Sequence, residues 1–131
     1  MPDDTYAELE RLVEADPRYR VNAYLFVMAA LDETMRAIEE RRHLTGQELC
    51  EGIRRLALRD YGMMAKTVLE SWGCHTTRDF GNIVYNMIGI KLMSKTEQDR
   101  LEDFDNVYDF GKAFVQEYKL SDPSDKSDRS D

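Results

Sequence analysis

The stretch VNAYLFVMAALDETMRAI, residues 21–38, decides the fold class. Within it Val21, Tyr24, Leu25, Met28, Leu31, Met35 and Ile38 recur in steps of three and four, the spacing that lines one face of an α-helix. Asp32, Glu33 and Arg36 fall on the other face, with Glu39 and Glu40 continuing it. Followed outward, the pattern predicts a helix from Tyr19 to Arg42, about 36 Å long at 1.5 Å per residue. Its most apolar part, Ala23–Leu31, is nine residues. A bilayer span needs about 20, so the stretch predicts a buried helix and no membrane partner.

Toward the N-terminus, Thr5 and Glu8 have the spacing of a capping box. Tyr6, Leu9, Leu12 and Val13 follow at helical intervals, and Pro17 predicts a stop near Ala15 because the residue before proline avoids the helical region. Toward the C-terminus, Thr45-Gly46-Gln47-Glu48 is a second capping box. It starts a third helix with Leu49, Ile53, Leu56 and Ala57 inward, ending at Gly62. A short fourth helix carries Met63, Met64, Val68, Leu69 and Trp72 and closes at Gly73. Thr76-Thr77-x-Asp79 begins a fifth, Thr77 to Leu92, with Phe80, Ile83, Val84, Met87 and Ile88 inward. From Lys95 to Asp109 acids outnumber bases and the periodicity fades, leaving loop, hairpin and frayed helix all open. Phe110 to Tyr118 reads as a last short helix on Phe110, Ala113, Phe114 and Tyr118.

The expectation is a mainly α protein: a single compact domain of five or six helices over residues 1–120, then a disordered acidic tail at 121–131. The tail, SDPSDKSDRSD, has no apolar residue and cannot bury enough surface to offset its ordering entropy. The units 46–61, 63–72 and 77–92 have the lengths of a tri-helical helix-turn-helix. If Ile90–Met93 and Phe104–Tyr108 pair as short strands, the unit becomes winged-helix-like.

The 131 residues carry a net charge of -8. That excludes a large uniform basic surface of the kind nucleic-acid modules use. MPDDTYAELE has no basic patch before an apolar run and so is no signal peptide. Cys50 and Cys74 lack a disulfide-framework spacing and read as free thiols of a reducing, cytoplasmic setting.

Chemistry-bearing patterns are incomplete. His43-x₆-Cys50 and the adjacent Cys74-His75 miss the paired spacing of zinc ligands. Glu40-x-x-His43 is one E-x-x-H where a di-iron bundle needs two; beside Arg41 and Arg42 it reads as a helix end complementing the dipole. Asp103-x-Asp105 begins like a calcium loop, but Val107 and Tyr108 stand where an oxygen ligand and the turn glycine belong. Cys74 with His75 is not a nucleophile pair unless the two face each other. Asp79-Phe80-Gly81 matches the kinase triplet without any other kinase segment. No P-loop or G-x-G-x-x-G is present, so no cofactor and no catalytic residue is expected.

Seven bases between residues 36 and 66 give that stretch a net charge of +2. Arg41, Arg42, His43, Arg54, Arg55 and Arg59, extended to Trp72 and Arg78, form the candidate interaction face. The competing reading is a salt-bridged helix surface, such as Glu51 with Arg54 and Arg55.

Several segments together resemble a family of small uncharacterised bacterial proteins: Asp16-Pro17-Arg18-Tyr19, Ala23–Val27, Arg41–Leu49, Ile53-Arg54, Thr67–Gly73, Thr77–Gly81, Ser94–Thr96 with Asp99, Glu102–Phe104 and Tyr108–Phe110. The likeness runs from residue 8 to residue 114. It implies a bacterial, cytoplasmic protein and supplies no activity, cofactor or site residue. The functional expectation is a non-catalytic protein–protein interaction or regulatory module acting on another cytoplasmic protein. The alternative is a winged-helix-like nucleic-acid-binding regulator reading through Arg78, Asn82, Asn86 and Lys91.

Overall fold

The computed structural model describes residues 2–38, 43–94 and 99–116. Arg41, Arg42, Tyr118 and the acidic tail lie outside them. Among the described residues there are five α-helices and no strand: α1 Pro2–Ala15, α2 Val21–Ala37, α3 Gly46–Tyr61, α4 Ala65–Ser71 and α5 Thr77–Gly89. A 3₁₀ turn, Gly62–Met64, leads into α4; a second, Leu101–Phe104, follows α5; a π-helical turn, Lys112–Gln116, comes last. The mainly α single domain is as expected. The wing is not: Ile90–Met93 forms turn and bend, and Phe104–Tyr108 leaves a 3₁₀ turn without pairing.

α1 starts at Pro2, ahead of the expected Thr5 cap. Proline is pre-organised for the first helical position, and acids behind it suit the positive end of the dipole. α2 is shorter than predicted. Ile38 is already extended, with φ -91° and ψ 127°. The buried face of α2 is Ala23, Tyr24, Phe26, Val27, Ala30 and Thr34, and its last three residues, Met35 to Ala37, are exposed. The register of the stripe is also offset: Leu25 is 42% exposed. Small Ala23 and Ala30 take the inner positions instead, letting α1, α3 and α5 approach α2.

α3 follows its reading closely. Glu48 N–H donates to Thr45 Oγ1 at 3.0 Å and Thr45 N–H to Glu48 Oε1 at 2.9 Å, and Leu49, Ile53, Leu56 and Ala57 are buried. Met63 and Met64, expected in the fourth helix, sit instead on the 3₁₀ turn and are 70% and 52% exposed, while Ala65 and Leu69 bury the inner side of α4. Gly73 ends this unit at φ +101°, where an added Cβ would lie 1.9 Å from the Arg18 carbonyl oxygen. Only glycine fits there, and Arg20 N–H donates to Trp72 O at 3.1 Å across the same junction.

α5 is held from both sides. At its start, His75 N–H and Thr76 N–H donate to Asp79 Oδ2 at 2.8 and 3.1 Å. Its polar face turns inward: Asn82 Nδ2 donates to Tyr19 Oη at 2.8 Å, and Asn86 Nδ2 to Asp16 Oδ2 and Tyr24 Oη at 2.9 and 3.0 Å. α5 ends at Gly89, short of the expected Leu92, because Lys91 turns left-handed at φ 65°. Leu92 N–H then reaches back to Met87 O at 2.9 Å, the six-to-one bond of a Schellman closure. Phe80 stacks on Phe110 with centroids 5.6 Å apart, and Phe110 meets Phe114 edge-to-face at 5.0 Å.

Candidate functional site

The polypeptide after α5 builds the site. Thr77 Oγ1 donates to Phe104 O at 2.6 Å and accepts from Val107 N–H at 3.1 Å. These bonds pin the Leu101–Phe104 turn over α5, and the Phe104 ring is pressed between α3 and α5 at Gly46 and Gly81. The turn is anchored at its base but leaves a pocket of about 330 Å³ between itself, the end of α2, the start of α3 and the end of α5. The wall is apolar: Leu31, Met35, Leu49, Val84, Ile88 and Phe104. The Schellman closure adds Leu92, and His43, Ser94 and Arg100 stand at its edge. Ligand pockets typically measure about 300–1,000 Å³ with mostly apolar walls and few polar groups.

One of those polar groups is unusual. Tyr85 lines the pocket. Its hydroxyl oxygen is out of contact with solvent and has no hydrogen-bond partner among the described residues. Burial pushes this phenol above its ordinary pKa, and Asp99, Asp103 and Glu102 push it further. It therefore stays protonated at neutral pH, as an O–H donor without an acceptor.

The described arginines of the candidate basic face are each set against acids, while Arg41 and Arg42 lie outside the described residues. Arg54 pairs with Glu51 at 2.5 Å, and Arg55 lies 3.9 Å from the same carboxylate. Arg59 bridges Glu33 on α2 at 2.9 Å and Asp60 at 3.0 Å. Arg78 holds Asp105 at 2.7 Å. Arg36 and Lys66 pair with Asp32 and Glu70. Arg55 and Arg59 share a shallow depression with Glu33, and Arg78 lines a different one. Trp72 is half-buried against Phe26 and Tyr61, with centroids 5.5 and 5.9 Å away, so it is a packing residue. Of the described candidate residues, His43 lines the apolar pocket.

The other motifs resolve into structural roles. Cys50 and Cys74 are buried free thiols, and burial pushes both up to about 12, which suppresses the reactive thiolate. His75 is exposed while Cys74 is buried, so the neighbours do not form a nucleophile and its base. Asp79 caps α5 and accepts from Tyr19 Oη at 2.5 Å, and Phe80 is core. No group of three or more His, Cys, Asp or Glu among the described residues could hold a metal ion. A second depression of about 340 Å³ lies beside His75, Arg78, Asp105 and Tyr108, and the Arg78 guanidinium there is bound to Asp105.

Sequence reading did not single out the pocket. Leu31, Leu49, Val84 and Ile88 appear in it only as core positions of three different helices. Tyr85 stands one residue after core Val84, outside the inward face that the spacing predicts for α5. Comparison with protein-family models, with curated proteins and with solved structures finds no match for the chain, so function rests on this geometry.

Proposed function

We propose that the protein is a non-catalytic interaction module that recognises another protein through the apolar pocket between α2, α3, α5 and the Leu101–Phe104 turn. The observation that supports this reading is the pocket itself. Its walls are large apolar side chains fixed by helices, and they stay apart because Phe104 is held down by Thr77. An apolar anchor residue in a desolvated pocket is the usual energetic centre of a protein interface. The buried thiols are held protonated, which favours binding over thiol chemistry.

The nucleic-acid alternative receives less support. Asn82 and Asn86, its reading residues, face Tyr19, Tyr24 and Asp16, and Arg78 is engaged by Asp105. The test is saturable partner capture on immobilised protein, compared with Met35→Trp and Ile88→Phe, which fill the pocket from its mouth and from its wall. The reading expects capture by wild type and loss from either variant that keeps the wild-type helical spectrum. Equal capture by a folded, filled variant, or no saturable partner, overturns it.

A further inference from the structure

We infer that the anchor taken by this pocket brings a neutral carbonyl oxygen with it, accepted from the Tyr85 O–H, so that the partner segment is read as an apolar side chain next to a main-chain carbonyl. The inference rests on the proposed function and adds the hydrogen bond that selects the anchor.

Three observations carry it. Tyr85 Oη is solvent-inaccessible and unpartnered among the described residues, while its side chain forms part of the pocket wall. Buried hydroxyls are nearly always paired, and each exception calls for an explanation. Nearby, Thr45 and Glu48 bond each other at the start of α3, and Asp103 Oδ2 accepts from Arg100 N–H at 3.2 Å. The phenol itself is the stiff end of a residue on α5, a helix fixed at Tyr19, Tyr24 and Thr77, so it cannot swing far to find a partner within the fold. An incoming acceptor completes it after rotation of the O–H and a small opening of the wall.

A carbonyl suits the site better than a carboxylate. The acids Asp99, Glu102 and Asp103 act on the phenol in the same direction as burial, and they oppose a second negative charge at Tyr85. A main-chain carbonyl is neutral, and every peptide anchor carries one beside its side chain.

The test uses two probes of nearly equal shape, acetophenone and ethylbenzene, which differ in one carbonyl oxygen. Each is titrated into methyl-labelled protein, wild type and Tyr85→Phe, and the dissociation constants are read from the Leu49 and Val84 methyl shifts. A net hydrogen bond of ordinary strength corresponds to about a two- to tenfold effect. The acetophenone-to-ethylbenzene ratio of dissociation constants is therefore expected to rise by about that factor in Tyr85→Phe, with ethylbenzene binding scarcely altered. An unchanged or lower ratio in a variant that still binds ethylbenzene overturns the carbonyl inference and leaves the apolar pocket standing. Absence of saturable shifts with both probes in wild type overturns the inference and the proposed function together.

Discussion

Phe104 rests on Gly81 so closely that a Cβ at position 81 would lie 2.7 Å from its Cγ and 2.8 Å from its Cβ. The contact joins the turn that roofs the pocket to the helix that walls it. Alanine at 81 gains helix propensity of about 1 kcal/mol but forces overpacking that costs about 1–3 kcal/mol. Because the clash reaches the rigid base of the ring rather than a flexible tip, the overpacking wins. Gly81→Ala is expected to lose about 1–2 kcal/mol in chemical denaturation. It should also shift the Val84 methyl resonance at the pocket wall. Unchanged stability would show that the turn is free to lift.

Tyr85→Phe removes a buried hydroxyl that has no hydrogen-bond partner among the described residues. Losing an unsatisfied polar group is stabilising, whereas losing a made hydrogen bond costs about 1 kcal/mol. The ligand-free variant is therefore expected to be more stable than wild type by up to about 1 kcal/mol. A loss of the same size would mean that Tyr85 is hydrogen-bonded in solution.

Lys91 holds the left-handed position that closes α5, a conformation costing an L-residue about 1–2 kcal/mol. Part of that is offset because glycine is freer in the unfolded chain. Lys91→Gly is expected to gain about 0.5–1 kcal/mol by thermal or urea unfolding. Destabilisation by that substitution would contradict the Schellman closure that places Leu92 in the pocket wall.

Asp16 ties the α1–α2 connection to α5. The Arg18 guanidinium, 2.8 Å away, holds its carboxyl well below the usual carboxylate range, with Asn86 helping. A group whose folded pKa is depressed adds stability above its unfolded pKa and loses it as pH falls. That contribution is complete at neutral pH and fades as pH drops below about 4, the unfolded aspartate value. Asp16→Asn is expected to be less stable than wild type at pH 7, with the gap narrowing below pH 4 in denaturation curves taken across pH. A constant gap would remove the charge from the explanation.

Much of this fold was legible where local signals and packing agree. Thr45 with Glu48 and Thr76 with Asp79 mark real helix starts, and Leu49, Ile53, Phe80, Ile83 and Met87 are core as their spacing says. α2 shows where periodicity runs out. Its stripe counted large side chains, but Ala23 and Ala30 carry the close packing, which depends on which helices arrive and not on hydropathy. Met63 and Met64 read as part of the fourth helix because nothing local distinguishes a 3₁₀ entry from a helix. The pocket was illegible for a related reason. It exists because Phe104, 27 residues away from Thr77, accepts its hydroxyl bond. No spacing rule reaches across that distance. The basic cluster, by contrast, was legible as chemistry but not as pairing: Arg59 finds Glu33 on another helix, 26 residues away.

The most direct measurement of the central claim is a crystal structure of the protein under xenon pressure. Xenon enters apolar space and leaves polar, hydrated space to water. The account predicts xenon density enclosed by Leu49, Val84, Ile88 and Phe104. A pocket closed by those side chains, or filled with an ordered water network, would contradict it.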